Sequence, residues 1–160
     1  MRDSQLFVKA VEAYFEPIAR KLGLPLCKVR DGVYDIPSQY FIMRVRLDTG
    51  HRRGLNVILR PSSFREFDEN QPNIQLGIGN FIQFHGENPQ DTLIEVSSDE
   101  SFLDRARLLA VAAAKYAEPY LRGQGTDWSS VSEMVRRKTE KDVVEIRKYR
   151  FPKNVRKEWI

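Results

Sequence analysis

The chain reads as an α+β domain: an antiparallel sheet of about five or six strands, with an N-terminal helix and C-terminal helices packed on one face. Three observations lead there. Apolar residues recur at three- and four-residue steps near the N-terminus and again in the second half. Between those regions they alternate in twos, the period of a half-buried strand. Strands and helices are segregated along the chain instead of alternating, which favours antiparallel pairing over parallel βαβ units.

The first element spans residues 4–22, where Leu6, Phe7, Val11, Tyr14, Phe15, Ile18 and Leu22 share one helical face. Ser4 suits its N-cap and Gly23 its C-terminal stop. Pro17 removes a hydrogen bond inside this stretch, so a kink or two shorter helices are expected. Leu26–Arg30 and Val33–Ile36 flank Asp31-Gly32, a pair suited to a tight hairpin turn. In Tyr40–Leu47, Phe41, Met43, Val45 and Leu47 point one way, and Ile42, Arg44 and Arg46 the other. Leu55–Leu59 is the partner strand. Residues 61–73 read as a long connection, Ile74–Phe84 as a further strand, His85–Asp91 as a polar turn and Thr92–Val96 as a short strand.

The second half is helical. Ser97 and Glu100 have capping-box spacing, and the helix they open runs to about Leu121, with Pro119 disturbing its last turn. Its buried stripe is Phe102, Ala106, Leu109, Ala113, Tyr116 and Tyr120. Gly123-Gln124-Gly125 ends it. Thr126 or Asp127 caps a further helix carrying Trp128, Val131, Met134 and Val135. Residues 143–151 satisfy both strand and helix patterns, and Pro152 ends either one.

Composition narrows the function classes. With 160 residues, 41% apolar and 30% charged, the chain has room for one core, and its aromatic content argues against disorder. The single cysteine, Cys27, cannot form an internal disulfide and reads as a small buried hydrophobe on the first strand. No leader-like start and no apolar run of membrane length is present, so a cytoplasmic location without membrane contact is expected. Net charge is +4, unevenly placed: residues 136–160 hold ten Lys/Arg and four Asp/Glu, whereas the rest of the chain holds sixteen and eighteen. The expected organisation is a globular domain over 1–135 and a basic extension over 136–160, packed in part on that domain.

Asp48-Thr49-Gly50 resembles the catalytic triplet of aspartic proteases, after a suitable apolar strand. That resemblance implies a dimer in which two carboxylates share a proton. Here the triplet is followed by His51, Arg52 and Arg53, whose cationic bulk would keep both carboxylates ionised, and the residues also suit an ordinary hairpin loop. Gly77-Ile78-Gly79 lacks the third glycine of a dinucleotide fingerprint, since Ile82 stands in its place. Cys27, Asp48, His51 and His85 do not have metal-ligand spacing, so neither metal nor cofactor is expected. Glu66, Asp68 and Glu69 lie in the polar connection; Asp99 and Glu100 are accounted for by helix capping and the helix dipole.

The basic segment remains. Arg136, Arg137, Lys138, Arg147, Lys148 and Arg150 are interleaved with Tyr149, Phe151 and Trp159. Cations can neutralise phosphates and aromatic faces can stack on unpaired bases. Glu140, Asp142 and Glu145 dilute the charge and supply local pairs. The expected function is therefore binding of a macromolecule without catalysis, most simply a protein. Nucleic-acid or polyanion binding through the basic segment is the alternative. A further alternative is an enzyme site near 48–54 that gathers Asp48, His51, His85 or Tyr34. The layout is loosely similar to that of toxin-neutralising immunity proteins, which implies one-to-one binding through a charged face.

Overall fold

A computed structural model describes residues 3–48, 54–63, 75–88, 96 and 98–150, the last eight as backbone only. The chain divides into two compact units, residues 1–126 and 127–160.

The first unit opens with α1 (Asp3–Ala10), a π-helical turn (Val11–Phe15) and α2 (Glu16–Leu22). Helix α1 already includes Asp3, so Ser4 lies inside its first turn instead of capping it. The π turn is the structural response to Pro17. Glu16 N–H bonds to the Val11 carbonyl five residues back, and Pro17 then falls in the first turn of α2, where a missing N–H is tolerated.

Five strands follow: β1 (Cys27–Arg30), β2 (Val33–Pro37), β3 (Phe41–Asp48), β4 (Gly54–Pro61) and β5 (Leu76–Gly77). They form an antiparallel sheet in chain order, β1-β2-β3-β4-β5. The Asp31-Gly32 turn is present, with Gly32 at φ +79°, where a side chain would be strained. Register places Ile36 opposite Met43, Met43 opposite Leu59, and Val45 opposite Val57. All five side chains are buried on one face. That face carries the helices: Phe7 packs on Tyr34 with ring centroids 5.9 Å apart, and Phe41 on Tyr120 at 5.0 Å.

The strand expected over Ile74–Phe84 ends early. After Gly77 the chain turns into α3 (Ile78–Phe84), because Ile78, Phe81 and Ile82 recur at helical spacing and all three are buried. Cys27 also departs from expectation. It is exposed, as are all four residues of the edge strand β1. The strand expected at Thr92–Val96, apart from Val96, lies outside the described residues, as do Ser97 and most of the connection over 61–73.

Helix α4 (Asp99–Tyr116) is capped one residue later than the spacing suggested. Ser101 N–H donates to Ser98 Oγ at 3.1 Å, and Ser98 N–H donates to Ser101 Oγ at 2.9 Å, a reciprocal capping box. The chain breaks at Ala117 and resumes as α5 (Glu118–Leu121), with Pro119 in its first turn. The anticipated stripe from Phe102 to Tyr120 is buried throughout.

Glu118 ties the ends of this unit together. Its buried carboxylate accepts from Arg122 Nη2 at 2.9 Å and lies 3.1 Å from Lys21 Nζ on α2. Burial pushes its pKa up, but the hydrogen bonds from Arg122 and Lys21 outweigh that and leave it below the usual carboxylate value. A depressed folded pKa contributes stability that is present above the unfolded value and is lost as pH falls through the folded one. Glu118→Gln should therefore lose about 1–2 kcal/mol at neutral pH. Its stability should also fall less steeply than the parent's as pH drops below the ordinary carboxylate range. Urea melts between pH 7 and pH 3 check this. Parallel pH profiles for the two proteins would show that the carboxylate does not report on folding.

The second unit is described as one helix, α6 (Trp128–Arg150). Val131 N–H bonds to the Asp127 carbonyl at its start. Residues 143–150, ambiguous in sequence, are helical, so the basic segment from Arg136 to Arg150 continues the helix without a break.

Candidate functional site

The basic segment can now be read as a surface. At 23 residues, α6 is about 35 Å long at 1.5 Å per residue. Val131 is buried, whereas every residue from Arg136 to Asp142 is exposed. Over those two turns the helix has no apolar side, and its own charge pairs stand where packing usually would.

The pairs converge on Glu133. Arg136 donates through Nε at 3.0 Å and through Nη2 at 2.5 Å, and Arg137 Nε donates at 3.0 Å. Arg136 Nη1 reaches forward to Glu140 at 2.8 Å. The hydrogen bonds from Arg136 and Arg137 hold the Glu133 carboxyl down to about 2. Glu133 lies just before the basic segment that composition marks out, which starts at residue 136. Its spacing of three and four residues before the two arginines was the available signal.

Across Glu133–Asp142 four cations are interspersed with three anions, and the further cations Arg147, Lys148 and Arg150 follow in the last turns of the helix. Lys138 is exposed beside these pairs. Arg147, Lys148 and Arg150 sit on the helical backbone, and their side chains lie outside the described residues, as do Phe151 and Trp159 altogether. Because its folded pKa is depressed, the Glu133 pairing should be intact at neutral pH and lost only as pH falls through about 2. Carboxyl chemical shifts followed by NMR should place the Glu133 midpoint there. A midpoint in the ordinary glutamate range would mean that the arginines are not engaged in solution.

A second charged arrangement lies on the sheet face away from Met43, Val45 and Leu59. Strand alternation and register place Asp35, Arg44, Arg46, Asp48, Asn56 and Arg60 there. Arg44 grips Asp35 across the β2–β3 pair with Nε at 2.8 Å and Nη2 at 3.0 Å. Arg46 Nε lies 3.4 Å from Asp48, and Asn56 also donates to Asp48. From α4, the Arg105 guanidinium comes within 3.6 Å of where a Cβ on Gly54 would stand. Burial lowers its pKa, and the Asp48 charge opposes that. The sequence showed Arg44 and Arg46 facing away from the core, but not what they meet.

The groups considered for catalysis are dispersed. Asp48 is on the charged face, held by Arg46 and Asn56, whereas Tyr34 is on the opposite face against Phe7. His85 follows α3, stacked on Tyr116 at 5.1 Å and edge-on to Phe84 at 5.3 Å. His51 and the Thr49-Gly50 part of the triplet lie outside the described residues. Among the described residues no group of His, Cys, Asp and Glu could hold a metal ion, and no helix is long and apolar enough to cross a membrane.

Two features therefore define what this chain offers as a site: a helix with an exposed, internally paired charged stretch, and a sheet face whose charges are mostly spent on one another. No protein-family model, curated protein or solved structure matches the chain.

Proposed function

We propose that this is a non-enzymatic binding protein, that its partner is another protein, and that α6 is the element that docks. One observation carries the reading. Residues 136–142 hold a helix in which nothing is buried, while Arg136 and Arg137 are already paired with Glu133 and Glu140. A helix without a buried face is marginal in water, because most helical stability in proteins comes from packing an apolar side. A partner surface that pairs with the exposed Arg137, Lys138 and Lys141 would hold the helix by charge, where no apolar side is available to pack. The acidic residues Glu133, Glu140 and Asp142 interspersed among the cations favour a protein surface with both signs over a polyanion.

The test uses the full chain and a variant carrying Arg137→Glu, Lys138→Glu and Lys141→Glu. Proteins captured from cell extract by each are compared, and both are titrated into labelled single-stranded and duplex oligonucleotides at low and moderate salt. The expected result is a protein captured by the parent and lost by the variant, with no oligonucleotide binding at moderate salt. Capture unchanged by the variant would remove α6 from the interface. Oligonucleotide binding that falls steeply with salt and disappears in the variant would put nucleic acid in the protein partner's place.

A further inference from the structure

We draw no further inference here: the strongest candidate, the outer edge of strand β1 where Cys27–Arg30 are all exposed, carries nothing, because the irregularity at Val29 and the cations Lys28 and Arg30 are the devices by which sheet edges avoid pairing, and nothing in the structure shows what covers it.

Discussion

Asp35→Ala should be among the most damaging single substitutions in this chain, costing about 3–5 kcal/mol. Asp35 and Arg44 face each other across the middle of the sheet, and each side chain is only 13% exposed. Their two-pronged hydrogen bonding offsets the cost of taking both charges out of water. Removing the carboxylate takes two charge-assisted hydrogen bonds from an enclosed Arg44 guanidinium, and a buried charge that loses a partner costs more than an exposed one. The melting temperature should drop by roughly 6–20 °C, taking about 2–4 °C per kcal/mol for a chain of this size. Replacing both partners with apolar residues, Asp35→Val together with Arg44→Met, should recover most of the loss. The same urea melts on Asp35→Val, Arg44→Met and the two combined yield the coupling directly. A loss below about 1 kcal/mol for Asp35→Ala would mean that water reaches the pair.

Gly125→Ala should be the second severe change, at about 2–3 kcal/mol, although it adds a single methyl group. A Cβ at Gly125 would stand 2.1 Å from the Tyr120 ring and 2.5 Å from its first ring carbon. Tyr120 has little room to yield. It is buried, and its ring is wedged between Phe41 at 5.0 Å and Phe81 at 5.4 Å. The added methyl must therefore displace an aromatic cluster that joins β3, α3 and α5, not the tip of a flexible side chain. Pairing Gly125→Ala with Tyr120→Leu opens that space, so the double variant should be more stable than the sum of the two single losses indicates. If Gly125→Ala melts within about one degree of the parent, the backbone at Gly125 is free to move aside and the crowding is not real.

Much of the architecture was legible because local chemistry and global fold agree at those positions. Pro17 announced a break in the first helix. Asp31-Gly32 announced a hairpin, and the inward set Phe41, Met43, Val45 and Leu47 announced which face of β3 meets the core. The segment after Ile74 misled because it satisfies two periods at once. Ile74, Leu76 and Ile78 step by two, while Ile78, Phe81 and Ile82 step by three and four, and two glycines in between permit either conformation. The helical option won over Ile78–Phe84, where it buries three large side chains.

Cys27 departs from expectation for a different reason. Residue type sets an average tendency to be buried, but an edge position overrides it. The site was legible only in part. Arg136 and Arg137 stood out as charge, yet their engagement with Glu133 is a property of helical geometry reaching back one turn. The Asp35–Arg44 pair depends on the β2–β3 register, which the intervening turn fixes through Ser38: its Oγ accepts from Tyr40 and Phe41 N–H. Neither residue carries any mark of that pairing by itself.

The strand order has a kinetic consequence. Because β1 to β5 lie side by side in the sequence in which they are joined, successive pairings need only neighbouring segments, and the first four strands can zip through short loops. Loop-closure entropy is small for such steps, and chains dominated by local contacts fold quickly. The expensive step is elsewhere. Helix α1 packs on α4, so the two flanks of the sheet must meet across the entire meander before either is secured. A substitution in the α1–α4 contact should therefore slow folding more than an equally destabilising one in the β2–β3 hairpin, and stopped-flow refolding of the two variants checks this.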